Sequence, residues 1–228
     1  MAFMESAVVI YIRELYYPDG FSFPLVMLDE RIALVEIIRE AATLIMLITI
    51  GFIAGRSFTT RFAWFIYSFA VWDIFYYIFL KLLIAWPESF LTWDILFLIP
   101  VTWTGPVISP LIVCVYMISL SGLILCFAEK NADIQIHKLE WIMLLSGAII
   151  LIVSFTWDYS GYILENYSVS ELWNMPGNKS LFELAIKYIP RKFNWSVFTF
   201  GSLVIISAMG LYYRRMKAQT NTNSDSLL

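Results

Sequence analysis

The amino-acid sequence predicts an all-α, polytopic membrane protein whose helices form one bundle with five transmembrane spans. Its 228 residues are 60% hydrophobic, 18% aromatic and 14% charged, and a soluble core of that size cannot bury so much apolar surface. Long apolar stretches recur along the chain with basic residues at their ends, as in multi-pass proteins. The lipid bilayer is therefore a predicted partner. Because the formal charge is only -3 and no long basic run occurs, we expect no nucleic-acid partner.

The N-terminal segment, residues 1–30, is predicted to lie in the membrane interface. Pro18 and Pro24 interrupt its apolar pattern, so it cannot cross about 30 Å of hydrocarbon as one helix. The stretch from Glu5 to Tyr17 mixes apolar and charged residues, which predicts an interfacial amphipathic helix.

Five apolar stretches that follow are each long enough to cross the bilayer. They form one predicted bundle over residues 31–214, with spans at about 32–55, 62–84, 107–128, 139–157 and 195–213. Only residues 56–61 separate the first two spans, which makes them an antiparallel hairpin. The loop at 158–194 contains two capping-box patterns, at Ser168 and Ser180, that predict short helix starts. A polar tail, residues 215–228, is predicted to be disordered.

The apolar segment from Phe90 to Pro100 is too short to be a span. Pro106 and Pro110 follow it closely, and no straight helix continues through such a series. This pattern predicts a re-entrant or interfacial segment near residues 90–106, with irregular backbone after Pro100. Because such backbone needs protein or water to satisfy its polar groups, it either lines a cavity beside the bundle or forms an exposed loop that caps the third span.

The basic residues predict the orientation of the chain. Those at one set of alternate span ends are Arg56, Arg61, Lys130, Lys138, Arg214, Arg215 and Lys217. The positive-inside rule makes that side cytoplasmic. The N-terminus is thus predicted outside and the C-terminus inside, in an inner (plasma) membrane.

Asp73 is the deepest charged candidate. It follows the start of the second span by about eleven residues, which places it about 17 Å into the membrane on a rise of 1.5 Å per residue. An aspartate at that depth costs about 2.5–3.5 kcal/mol on insertion scales. We therefore expect Asp73 to face the bundle interior, protonated or paired, as a candidate proton- or cation-binding group.

A second candidate is a group of charges near the predicted outer ends of the first two spans. Glu36, Arg39 and Glu40 share one helix face at i, i+3 and i+4, and Lys81 is predicted at the same depth. An antiparallel pair of helices lets Glu36 or Glu40 meet Lys81. The group is either an ion-paired clamp between helices or a pocket for a substrate or head group.

The dipeptide Trp-Asp occurs three times, which makes a third candidate. The pairs are Trp72-Asp73, Trp93-Asp94 and Trp157-Asp158. The predicted topology places Asp94 and Asp158 at the outer boundary, together with several tryptophans that include Trp103. These rings are typical of an interfacial aromatic belt. Alternatively, the carboxylates open on one vestibule and bind a cation or share a proton.

Several kinds of site lack the residues they need. His137 is the lone histidine, so a bis-histidine haem and the usual zinc or copper sites are not predicted. Cys114 and Cys126 are twelve positions apart in one predicted helix, about 18 Å along its axis, which is too far for a disulfide. Without a glycine-rich phosphate loop either, we expect no metal and no cofactor.

Three runs carry a resemblance to a known group. They are REAA from Arg39, VWDIFYY from Val71 and LTWDILFLIP from Leu91. On these runs, which lie in the first half of the chain, the sequence resembles a group of uncharacterised bacterial polytopic membrane proteins. The resemblance implies a bacterial inner-membrane setting and no particular mechanism.

Three functional hypotheses follow. In the first, the first two spans and the segment from Trp86 to Pro110 form an outward-facing polar pocket that binds or passes a small polar solute, an ion or a lipid head group. In the second, the protein is a non-catalytic accessory or assembly subunit of a larger membrane complex, or a homo-oligomer. The third and least favoured is a lipid-modifying enzyme with Asp94 and Asp158 as acid and base.

Overall fold

The computed structural model describes residues 1–26, 29–99, 101–129, 134–165, 167–168 and 184–225. Its elements are α1 (Ala2–Tyr16), α2 (Glu30–Ala54), α3 (Phe58–Ile84), β1 (Trp93–Phe97), β2 (Trp103–Pro106), α4 (Ile108–Ala128), α5 (Lys138–Leu164) and α6 (Trp195–Asp225). Helices α2 to α6 are each long and apolar enough to cross a membrane. The predicted class, an all-α membrane bundle with five candidate spans, is confirmed. The helix starts predicted after Ser168 and at Ser180 lie on residues 169–183, outside the described ranges, and the described residues 184–186 that follow are helical.

The chain divides into two compact units. The first unit comprises Met1–Thr43, Phe75–Pro110 and Ile152–Trp195, and the second comprises Leu44–Ile74, Leu111–Leu151 and Ser196–Leu228. In the first unit, Tyr159, Ile163 and Tyr188 are the large members of a buried apolar cluster. The larger cluster of the second unit includes Ile124 and Met216.

Helices α3 and α5 are longer than predicted, and polar side chains support the start of α3. At the start of α3, Ser57 and Thr60 cap each other's backbone: the Thr60 amide donates to Ser57 Oγ at 3.2 Å, and the Ser57 amide donates to Thr60 Oγ1 at 2.9 Å. This reciprocal cap begins the helix at Phe58 instead of residue 62. Helix α5 continues past Trp157 to Leu164.

Helix α6 continues through much of the tail that the sequence predicts to be disordered. The Arg215 guanidinium donates to both carboxylate oxygens of Glu140, at 2.8 and 2.9 Å, and to the Gln135 carbonyl at 2.7 Å. The adjacent Met216 is 0% exposed. These tertiary contacts outweigh the weak helix propensity of the Ser/Thr/Asn-rich tail, and the helix reaches Asp225.

The segment that the sequence predicts to be irregular after Pro100 contains a strand instead. Strands β1 and β2 pair antiparallel, with Asp94 opposite Gly105 and a register shift between Ile95 and Phe97. The ladder satisfies the backbone groups that face the partner strand. Gly105 is closely packed: an added Cβ would lie 3.1 Å from the Phe193 ring.

Helices α2 and α3 approach each other closely at two glycines in the second unit. A Cβ added to Gly51 would lie 2.6 Å from the Arg61 carbonyl oxygen, and one added to Gly55 would lie 2.6 Å from the Arg61 Cα. Arg61 Nε also donates to the Gly55 carbonyl at 3.2 Å. The neighbouring atoms are backbone, so they cannot rotate out of the way of a new methyl group.

Replacing Gly55 with alanine is expected to destabilise the protein by about 1–3 kcal/mol, the usual cost of overpacking. The matched control is Gly122→Ala in α4, where an added Cβ meets nothing within 4 Å and alanine has the higher helix propensity. Thermal unfolding of the full-length protein in detergent micelles measures both variants. Equal Tm values for Gly55→Ala and Gly122→Ala would contradict the close approach.

Candidate functional site

A buried ion pair joins α1 to the β1–β2 hairpin in the first unit. Arg13 Nη2 donates to Asp94 Oδ1 at 3.3 Å, and the residues are only 8% and 2% exposed. From α3, the Tyr77 hydroxyl donates to Asp94 Oδ2 at 3.1 Å. One carboxylate therefore holds three elements together. We call Arg13, Tyr77, Asp94 and the Trp86 ring beside them the Arg13 cluster.

Aromatic rings surround the Arg13 guanidinium. Its Cζ lies 3.8 Å from the centroid of the Trp86 ring and 4.5 Å from that of Phe21, and the Trp86 ring stacks on Tyr77. The two contacts of the guanidinium with rings are cation–π interactions, which strengthen as water is excluded. Arg13 Nη1 is buried without a hydrogen-bond partner among the described residues. The Arg13 guanidinium is thus paired with the Asp94 carboxylate and keeps one N–H group without a described partner.

Burial raises the pKa of Asp94 above its ordinary value, because the carboxyl group loses its hydration. The Arg13 guanidinium, the Tyr77 hydroxyl and the Ile95 backbone amide act against that rise by stabilising the charged form. The net direction is upward. The ion pair is therefore held in place against a substantial desolvation cost.

A second group of charges, which we call the Arg39 cluster, joins α1 to α2. Arg39 donates to Glu36 Oε2 from Nη2 at 2.6 Å and from Nε at 2.9 Å, and it also forms an ion pair with Glu5. Thr43 Oγ1 donates to the other Glu5 oxygen at 3.3 Å. The sequence indicated the i, i+3 pair of Glu36 and Arg39. It did not indicate Glu5, whose approach depends on how α1 packs.

Glu40, the third residue of the predicted face, binds backbone instead of a cation. Its two carboxylate oxygens accept from the Leu98 amide at 3.0 and 3.2 Å. Leu98 directly follows β1, so this contact secures the end of the strand to α2. Nearby, Ser6 of α1 donates to the Tyr76 carbonyl at 3.1 Å.

Lys81 does not join these acids, which corrects the prediction that it meets Glu36 or Glu40. Its Nζ donates to the carbonyl oxygens of Ala85 at 3.1 Å and Pro87 at 2.9 Å. Helix α3 ends at Ile84, so the long lysine side chain reaches the orphan carbonyls just beyond its own C-terminus. The predicted four-residue cluster is therefore three separate arrangements.

Asp73 lies in the second unit and pairs with a thiol. Cys114 Sγ donates to Asp73 Oδ2 at 3.1 Å, and the aspartate is neither fully buried nor exposed. The neighbouring Trp72 is buried, with its ring 5.4 Å from that of Phe69. The expectation that Asp73 is paired within the bundle thus has a named partner on α4.

Asp158 also binds donors of its own chain. The Tyr188 hydroxyl donates to Asp158 Oδ2 at 2.7 Å, and the backbone amides of Arg191 and Lys192 donate to the same carboxylate. Since that hydroxyl proton is committed, the Thr104 hydroxyl donates to Tyr188 at 3.0 Å. Burial and the Asp158 charge raise the pKa of Tyr188.

The tryptophans of the hairpin pack against aromatic rings of the first unit. Trp103 stacks on Phe155 with ring centroids 6.1 Å apart, and Trp93 meets Phe193 edge to face. Asp94 and Asp158 have separate sets of protein donors. These contacts leave neither carboxylate free to share a proton with the other in the described arrangement.

Sequence reasoning missed Arg13 and Glu5, which lie on α1. A usable signal exists: Ser6 and Arg13, at i and i+7, are the two buried residues of this helix, whereas Met4 and Leu15 are among its exposed apolar residues. A helix with polar residues inward and apolar residues outward fits lipid better than water. The predicted placement of α1 in the interface stays a prediction.

While the outward-facing pocket stays a prediction, one cavity lies in the second unit. Its volume is about 780 Å³, and its lining includes Arg56, Phe58 and Trp141. Within the described residues, no three His, Cys, Asp or Glu side chains come together as a metal site.

The chain matches no known protein family model, no curated protein and no solved structure. Its membrane class therefore rests on the five apolar helices. They make the chain an integral, multi-pass membrane protein that contacts the lipid bilayer.

Proposed function

We propose that this protein is a non-catalytic subunit of a larger membrane complex, with its buried charges acting as clamps that shape one rigid unit. One observation carries the proposal: the carboxylates predicted as ligand-binding groups are occupied by donors of the chain itself. Glu36 binds Arg39, Glu40 binds the Leu98 amide and Asp94 binds Arg13. A solute site needs groups that remain available when the protein is empty.

The clamps lock together elements that a transporter would move. Alternating access needs one bundle to rock against another around a central site. In the first unit, α1 is tied to α2 through Glu5, to α3 through Ser6 and to β1 through Arg13. Such contacts favour a fixed scaffold. We place this scaffold in a bacterial inner membrane, with its N-terminus outside and its C-terminus in the cytoplasm.

The size of the native assembly tests the proposal. The full-length chain, tagged at its C-terminus, is solubilised with a mild detergent from its own cells and from a heterologous host. Blue native electrophoresis then compares the two. We expect the native species to be larger by at least one further subunit, which mass spectrometry identifies. Equal sizes in both hosts would refute a heteromeric complex, and an equal size above that of the monomer would indicate a homo-oligomer.

A second candidate function rests on Arg13 Nη1, the buried donor without a described partner. Under the binding hypothesis, this N–H group donates to an oxygen of a small anionic solute or head group. Thermal unfolding of the wild type with added acetate or inorganic phosphate tests this directly. A rise in Tm that disappears in Arg13→Met would favour binding over the clamp, whereas no rise in either protein would favour the clamp.

A further inference from the structure

The cavity of the second unit is a groove at the ends of four candidate spans. Its lining includes Ala54 at the end of α2, Phe58 at the start of α3 and Ala128 at the end of α4. Ile134 and Ile136, just before α5, complete it. Because spans end where hydrocarbon meets head groups, this groove lies at the membrane interface and not in the bundle centre.

Aromatic and aliphatic side chains form the wall of the groove. Phe58 is 72% exposed, and its ring lies 5.9 Å from that of Trp141. Trp64 is a further ring of the lining, and Ile134 is a buried aliphatic member. Indole rings at this level are typical of contact with lipid. A wall of this kind suits an acyl chain better than a small water-soluble molecule.

One cation of the groove has no ion-pair partner among the described residues. Arg56 lines it, is exposed and forms no ion pair with any described residue. Two other arginines of the second unit are engaged by protein acceptors: Arg61 donates to the Gly55 carbonyl, and Arg215 pairs with Glu140. A guanidinium donates two parallel hydrogen bonds to two oxygens of one phosphate group. A carbonyl group has only one oxygen and cannot accept such a pair.

We propose that this groove binds one anionic phospholipid, with the Arg56 guanidinium on its phosphate and one acyl chain against Phe58 and Trp141. Basic pockets between transmembrane helices on the cytoplasmic side are suited to anionic head groups. The apolar wall is the reason to choose a lipid over free phosphate. The inference does not depend on a partner complex, because it uses only groups of the second unit.

Native mass spectrometry of the full-length protein, released from micelles with defined lipids, tests the inference. Phosphatidylglycerol is titrated in a background of phosphatidylcholine. We expect the wild type to retain one phosphatidylglycerol, and Arg56→Gln to bind it roughly tenfold more weakly, as for loss of one charge-assisted pair. Arg56→Lys, which keeps the charge, should lose less and guards against a folding defect.

The matched control is Arg214→Gln, an identical change at an exposed arginine of α6 that is not part of the groove lining. It should alter phosphatidylglycerol binding less than twofold. Equal losses in Arg56→Gln and Arg214→Gln would overturn the proposal in favour of diffuse surface attraction.

Two further experiments distinguish binding of a whole lipid from binding of a phosphate group alone. Phe58→Ser removes part of the wall at a side chain that is 72% exposed, so the fold should survive while lipid retention falls several-fold. Inorganic phosphate at millimolar concentration should not displace the lipid. Full displacement by phosphate, or unchanged retention in Phe58→Ser, would contradict a lipid groove.

Discussion

Replacing Arg13 with methionine is expected to lower the free energy of unfolding by about 3–5 kcal/mol at neutral pH, the usual result of removing one partner of a buried ion pair. Methionine keeps an unbranched apolar side chain but loses the cation–π contacts that the guanidinium makes with Trp86 and Phe21. The larger part of the loss is expected from the Asp94 carboxylate, which stays buried with Tyr77 as its remaining side-chain donor. Chemical unfolding of the full-length protein in micelles measures it.

The loss of stability in Arg13→Met should depend on pH, and the pKa of the buried Asp94 carboxyl group determines the direction. Burial already raises the pKa of Asp94, and loss of the Arg13 charge raises it further. A carboxyl whose pKa is higher in the folded than in the unfolded protein binds protons more tightly when folded. The stability of Arg13→Met therefore falls as pH rises through the folded pKa and recovers as pH is lowered toward the ordinary aspartate value.

A second substitution separates this mechanism from a packing defect. Asp94→Asn, introduced together with Arg13→Met, supplies a neutral side chain that still accepts from Tyr77, and it should recover most of the lost stability at pH 7. Arg31→Met is the control, because Arg31 is exposed on α2. A defect that neither low pH nor Asp94→Asn relieves would show that the ion pair is not what Arg13 supplies.

The second large effect is expected for Arg39→Met. Glu5 and Glu36 would then lose their shared cation, and two like charges would face each other between α1 and α2. The Arg39 side chain is 20% exposed, so the loss should lie at the lower end of the range of about 3–5 kcal/mol for buried pairs. Unfolding in micelles is again the measurement.

Neutralising the acids should undo that loss. Glu5→Gln with Glu36→Gln, added to Arg39→Met, removes the repulsion and is expected to restore much of the stability. Arg39→Lys should be intermediate, since an ammonium lacks the planar fork with which Arg39 donates from two nitrogens to one Glu36 oxygen. If Arg39→Met has the same free energy of unfolding as the wild type, the Arg39 cluster behaves like a surface ion pair and adds no measurable stability.

In these clusters, sequence reasoning could identify only the contacts between residues of one helix. Glu36 and Arg39 are three positions apart, and helical geometry alone brings such residues together. The same reasoning failed for Lys81, because it matched residues by predicted depth alone. At the end of a helix, nearby orphan carbonyls compete for a lysine, and here Ala85 and Pro87 bind it.

The hairpin shows a different limit of local patterns. Proline-rich sequence after Pro100 predicts irregular backbone, yet Trp103–Pro106 pairs with Trp93–Phe97. The pairing depends on a partner strand that must itself be extended and in register. Neither condition can be read from composition, and Asp94 reaches Arg13 only after both are met.

What the sequence by itself determined is the class of molecule and the position of its membrane helices. Those properties follow from local hydrophobicity and length, because hydrocarbon accepts only apolar, internally bonded segments. Tertiary structure alone decided which charges meet: Arg13 with Asp94, and Glu5 with Arg39. These partners are far apart in the chain, and a buried charge takes whichever partner the packing of α1 brings within reach.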